Sequence, residues 1–313
     1  MPQIVRYSEL PVDQAKCESS ANELNEAMQG RGNDKAKMIE ITRLLNAEER
    51  FVCAKIFQEK YGKSLTTVLK EELSGDLEDF FVVCYSGFYS QWAEFVFESM
   101  KGKKHDQVLM AEALFLMTAD DLKKVSAAFL VKYGVDMKEE VMTEVANTEY
   151  LPLFKSWFEN NNIYGGNLDA LVDYMLATLE CGKEEFTKRV VNILTNCHSR
   201  IYRQVQEPFK QKSGKDFVEV LKKHYDAQTE KVYMECHYAL LNQKEFVARQ
   251  LMLSFKGAGT DEDKLMRVTQ LYSDRLSGDV IKQAYQDFGD IEKSIKSELS
   301  GKSEDLVLAL WGF

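Results

Sequence analysis

The chain has 313 residues, 45% of them hydrophobic, with a formal net charge of −10. That apolar fraction is enough for a real core and excludes wholesale disorder. The acidic balance sets a bare surface against nucleic acid and anionic bilayers alike, so any meeting with phosphate needs a positive mediator. No run reaches the roughly 18 apolar residues of a membrane span.

Taken in chain order, the start (Met1-Pro2-Gln3-Ile4-Val5-Arg6-Tyr7-Ser8-Glu9) lacks an apolar signal-peptide core, so secretion by that route is not expected. Residues 1–20 read as a short N-terminal segment. A first unit, 21–90, opens on Met28-Gln29-Gly30-Arg31-Gly32-Asn33-Asp34. Asn46-Ala47-Glu48-Glu49 then reads as a capping box, Tyr61-Gly62 as a helix end, and Leu69-Lys70-Glu71-Glu72-Leu73-Ser74-Gly75 as a short helix and its exit. Phe80-Phe81-Val82-Val83-Cys84-Tyr85 is apolar enough for a strand, but Leu77 and Phe88 continue it at helical spacing.

The second unit, 91–160, repeats the text. Met100-Lys101-Gly102-Lys103-Lys104-His105-Asp106 stands for the loop, Thr118-Ala119-Asp120-Asp121 for the box and Tyr133-Gly134 for the helix end. Both Met28 to Met100 and Gly62 to Gly134 span 72 residues. A polar, glycine-rich linker covers 161–168. The third unit, 169–243, is worn, with Ser213-Gly214 at the helix end. The fourth, 244–313, carries Phe255-Lys256-Gly257-Ala258-Gly259-Thr260-Asp261, then Phe288-Gly289 and Ile295-Lys296-Ser297-Glu298-Leu299-Ser300-Gly301. Thr260 followed by Asp263 reads as a further capping signal, and Leu265, Val268, Leu271 and Tyr272 mark one buried helical face. The expected fold is all-α: four repeats of about 70 residues, each of about five short helices.

The two Gly-x-Gly loops carry the chemistry. Glycine tolerates positive φ, so such a loop can curl and aim successive carbonyls at one point. A hard cation such as Ca2+ wants about six to eight oxygens, carbonyls included. Carbonyls bring no charge, and Glu72 and Glu298, about forty residues downstream of their loops, can supply it. One carboxylate against a dication leaves an electropositive site with free positions for phosphate oxygen. A bound ion can then bridge an acidic protein to an acidic membrane.

Met-x-Gly-x-Gly-Thr with an acid about forty residues on resembles the type II calcium site of the annexins, and the resemblance runs over residues 21 to 313. The wear resembles that of divergent members such as protist annexins and the cytoskeleton-associated alpha-giardins. The resemblance implies four five-helix repeats closed into a curved disc, calcium loops on its convex face, and pairing of repeat one with four and two with three. It implies one site from the carbonyls of Met28, Gly30 and Gly32 with Glu72, and another from those of Phe255, Gly257 and Gly259 with Glu298. Asn33 stands where threonine is usual and is expected to cap the next helix. In repeat two Lys104 replaces the second glycine, although Glu144 survives. In repeat three Glu180-Cys181-Gly182-Lys183 is too short for the loop and His224 occupies the acid position, so no site is expected there. Arg31, Lys101, Lys103, Lys104 and Lys256 are candidates for direct phosphate contact.

The expected function is calcium-dependent binding to anionic phospholipid membranes, by a monomer peripheral to the cytoplasmic face, with no nucleic-acid partner. The alternative is a scaffold on a cytoskeletal protein with reduced or lost calcium dependence. No catalysis is expected, because GxxxxGK[ST], HExxH and GxSxG are all absent. Cys197-His198 and Cys236-His237 match no zinc spacing, and the six scattered cysteines suit reduced core thiols. Trp92, Trp157 and Trp311, each in apolar helical text, read as core.

Overall fold

Sparse proline and frequent capping side chains favour helix over strand. The computed structural model describes residues 10–29, 32–101, 106–159, 167–257 and 259–313. Its twenty α-helices among those residues come in four groups of five, with no strand. The first group is α1 (Gln14–Met28), α2 (Lys35–Leu44), α3 (Ala47–Tyr61), α4 (Leu65–Glu72) and α5 (Asp76–Tyr85). The second is α6 (Phe88–Met100), α7 (Gln107–Leu114), α8 (Ala119–Tyr133), α9 (Met137–Glu144) and α10 (Leu151–Glu159). The third is α11 (Leu168–Thr178), α12 (Lys183–Asn196), α13 (Ser199–Ser213), α14 (Phe217–His224) and α15 (Ala227–Leu241). The fourth is α16 (Gln243–Ser254), α17 (Glu262–Tyr272), α18 (Gly278–Tyr285), α19 (Ile291–Glu298) and α20 (Gly301–Trp311). Helix α1 begins at Gln14, inside the stretch read as a separate N-terminal segment.

Local chemistry places the helix ends. Asn46 with Glu49 and Thr118 with Asp121 form reciprocal capping boxes at α3 and α8. Gly62, Gly134 and Gly214 end α3, α8 and α13 in the left-handed region, with φ of 75°, 75° and 70°. The fourth group departs here. Helix α18 has 8 residues where α3 has 15, and it runs into a 3-10 turn, Gln286–Phe288. Gly289 then leads straight to the N-cap Asp290, whereas Gly62 is separated from the N-cap Ser64 by Lys63.

The chain packs as two units. The first comprises Met1–Trp92 and Lys244–Phe313, the second Ala93–Gln243. Within the first, α2 packs on α20 and α5 on α17, so the second helix of each group covers the fifth of the other. Within the second, α7 packs on α15 and α10 on α12 by the same exchange. Each unit is thus closed by reciprocal docking of two groups that are each half a core. Trp92 and Trp311 are buried, whereas Trp157 is only half-buried, edge-on to Phe115. All six cysteines are free thiols, and five are buried.

Candidate functional site

Each of the four groups has an eight-residue fourth helix, and its last residue is the position read as the acid: Glu72, Glu144, His224 and Glu298. After Glu72 and Glu298 the chain leaves through Leu-Ser-Gly, and Gly75 and Gly301 both take φ of 63°. Both acids are exposed.

The loops between first and second helices are framed by a recurring backbone bond. Asp34 N–H donates to the Ala27 carbonyl at 2.9 Å, Asp106 to Ser99 at 3.0 Å, and Asp261 to Ser254 at 2.8 Å. Met28 is the last residue of α1, so its carbonyl belongs to the turn that lacks helical partners. Gly32, Gly257 and Gly259 have φ of 98°, 141° and 108°. A β-carbon on any of the three would meet nothing within 4 Å, so glycine is needed there for backbone conformation, not for space. Gly30, Arg31, Lys103 and Lys104 lie outside the described residues, as does most of the 161–168 linker.

Side chains join each loop to its distant acid. Asn33 Nδ2 donates to the Glu72 carbonyl at 2.7 Å. Thr260 Oγ1 lies 3.3 Å from the Glu298 carbonyl and 3.2 Å from its Oε2. These contacts overturn two readings of the sequence. Asn33 does not cap α2, because Asp34 does, accepting from Lys37 N–H. Thr260 does not cap α17, because Asp261 does, accepting from Lys264 N–H. The Thr-Asp-Glu-Asp text holds two good capping side chains in a row, and only the contact with Glu298, 38 residues on, decides between them. Asn33 and Thr260 thus tie each loop to its acid-bearing helix, a contact that local pattern could not identify.

The other two groups differ. Glu144 accepts a hydrogen bond from Gln107 Nε2 at 2.9 Å, and Lys101 Nζ lies 3.8 Å over the Phe97 ring. His224 stacks on Phe186 with ring centroids 3.5 Å apart. Burial, then the charge of Lys183, pushes the His224 pKa below its usual value. Only residues 179–182 separate α11 from α12, and Gly182 caps α12 at an ordinary φ of −66°. His198 caps α13 through Nδ1 and His237 is buried, so the two Cys-His pairs serve as cap and core.

The donor set suits a hard cation. Among the described residues no three His, Cys, Asp or Glu side chains converge on a point where a metal could sit. A cation here would be held mainly by backbone oxygens and one carboxylate, the ligation that Ca2+ accepts and softer metals do not prefer. Asn33 Oδ1 is enclosed without a donor, an acceptor that a cation or its water would satisfy. Beside the fourth loop, a cleft of about 360 Å3 is lined by Thr260, Asp261, Glu262, Asp263 and Met266 and by Asp76, Asp79 and Phe80. Its five carboxylates make the approach to that loop strongly cation-attracting.

Comparisons with known proteins converge on the same family. The annexin family model matches residues 19–84 and 246–310, the stretches that hold both Gly-x-Gly loops and their acids. The sequence is 25% identical to annexin A7 of Xenopus laevis over 308 residues, covering 94% of this chain and 58% of that protein. It is 24% identical to human annexin A13 over 298 residues, covering 93% of each. The chain therefore spans less than two thirds of the frog protein and nearly all of the human one. In fold it matches annexin A8 with a TM-score of 0.85 at 21% identity, over 99% of this chain and 97% of that one. It matches calcium-bound alpha-1 giardin with a TM-score of 0.82 at 22% identity, over 95% of this chain and 99% of that one. With its repeated loops, reciprocal helix exchange and whole-length likeness to these structures, the chain has the annexin fold, and its first and fourth repeats match the annexin family model.

Proposed function

We propose that this protein binds anionic phospholipid membranes in a calcium-dependent manner through its first and fourth loops, acting peripherally on the cytoplasmic face. The observation that carries the reading is the pairing of each loop with its distant acid, by Asn33–Glu72 and Thr260–Glu298. Met28, Gly30 and Gly32 with Glu72, and Phe255, Gly257 and Gly259 with Glu298, are the groups that would hold Ca2+. The ion supplies positive charge and open coordination positions, which lipid phosphate can fill.

The protein's own residues do the rest. Gly32, Gly257 and Gly259 take the positive φ that lets a loop curl its carbonyls toward one point, and the acids stand exposed at helix ends where a cation can reach them. Lys256 is exposed at the tip of the fourth loop, placed to meet a phosphate directly. No described helix is long and apolar enough to cross a membrane, which agrees with peripheral attachment. Six free thiols suit a reducing compartment.

Sedimentation with phosphatidylserine-containing vesicles across a calcium titration tests the reading, with Glu72→Gln and Glu298→Gln beside the wild type. The wild type should pellet only with calcium, and each variant, having lost its site's one charged ligand, should need more than the roughly tenfold extra that loss of an outer partner alone costs. A wild type that stays in the supernatant at millimolar calcium overturns it and leaves the scaffold reading to pursue.

A further inference from the structure

The residue after the second loop glycine reaches the acid-bearing helix in both loops, but with different chemistry. At the first loop an amide N–H grips a carbonyl: Asn33 Nδ2 to Glu72 O, 2.7 Å. That bond fixes the backbone at the end of α4, and among the described residues no side chain holds the Glu72 carboxylate. At the fourth loop a hydroxyl with a single hydrogen faces two acceptors of one residue, the Glu298 carbonyl at 3.3 Å and Oε2 at 3.2 Å. Since Asp261 already caps α17, capping does not explain why the Thr260 hydroxyl points back across the loop.

We propose that Thr260 is a positioning residue that orients the Glu298 carboxylate for the cation, an aid that Asn33 does not give Glu72. This rests on the calcium reading of the loops. Thr260 holds one carboxylate oxygen and leaves Oε1 for the metal. A glutamate already turned to the loop gives up less rotamer freedom when it takes the ion. A hydrogen-bond donor on a ligating carboxylate is the kind of outer partner whose loss weakens metal binding without removing a ligand. The two loops then differ in how ready their acids are, although their ligand sets match.

The test uses the full chain carrying Glu72→Gln, so that the fourth loop is read alone, on phosphatidylserine–phosphatidylcholine vesicles with calcium as the titrant. Adding Thr260→Val, which keeps shape and removes the hydroxyl, should raise the calcium midpoint about tenfold, the low end of effects seen at metal outer shells. Thr260→Ser should return it to within about twofold, because the donor is restored. The melting temperature in chelator should stay unchanged in both, which a merely structural role would not allow. A valine variant with the parent midpoint, while Glu298→Gln still shifts it, overturns the positioning role and leaves the loop reading standing. A serine variant as weak as valine also overturns it. If neither Glu298→Gln nor Thr260→Val moves the midpoint, the calcium reading of this loop falls, and the proposal with it.

Discussion

His237 shows how far burial alone can move a side chain's chemistry. It is 1% exposed, and Tyr202 OH lies 2.6 Å from its Nδ1. Burial raises the Tyr202 pKa well above normal, so the phenol keeps its proton and the bond joins two neutral rings, while Nε2 of the imidazole has no partner among the described residues. Burial also lowers the His237 pKa from 6.5 to about 4. The sign follows directly: the unfolded chain takes the proton more readily, so stability is full above pH 6.5 and is lost as pH falls toward 4. At about 1.4 kcal/mol per pH unit, His237 should withdraw about 2–3 kcal/mol between pH 7 and pH 4.5. Urea unfolding at those two values should show a shallower loss in a His237→Gln variant than in the wild type. An equal loss in both would place the pH dependence elsewhere.

At the scale of elements, Glu49 does more than close a capping box. Its Oε2 accepts from Asn46 N–H at 3.0 Å and from Lys16 Nζ at 2.7 Å, and its Oε1 from Asp13 N–H at 3.2 Å. One buried carboxylate thus starts α3 and seats the first turn of α1. Glu49→Ala should cost about 3 kcal/mol, since hydrogen bonds to a charged group are worth roughly 1.5–3 kcal/mol each, whereas Asn46→Ala should cost about 1 kcal/mol. Chemical denaturation of the two variants separates them. The box itself could be read from Asn46-Ala47-Glu48-Glu49, because it is a local pattern with a fixed spacing. The helical nature of Phe80–Tyr85 could also be read, from the apolar period around it. The part of Glu49 that holds α1 could not, because its partners lie 33 and 36 residues away. The same limit governed Asn33 and Thr260. Their glycines and acids were readable as motif, but their bonds exist only once the first and fourth helices of each group are folded together.

At the scale of the molecule, each core is shared by groups distant in the chain. Arg50 on α3 is 1% exposed, gives its guanidinium to the Leu45 carbonyl at 2.7 Å, and pairs with Asp274 of the fourth group. Asp274→Ala breaks one ion pair of a buried guanidinium, which should cost about 3 kcal/mol. Amide exchange should accelerate within 10–92 and 244–313 and stay as it was within 93–243; uniform acceleration would mean that the units do not open separately. The exchange of helices described above also sets an order on synthesis. Helices α2 and α5 find their covers in α20 and α17, and roughly 150 residues separate the two parts of that unit. Helix α17 ends 180 residues and α20 219 residues after Trp92, so at about 5–20 residues per second the earlier segment waits on the order of 9–44 s with its apolar faces bare. The middle of the chain can finish its own core during that interval. The earlier-made part of this unit therefore waits for the later-made part, and it is the stretch that a chaperone would need to guard.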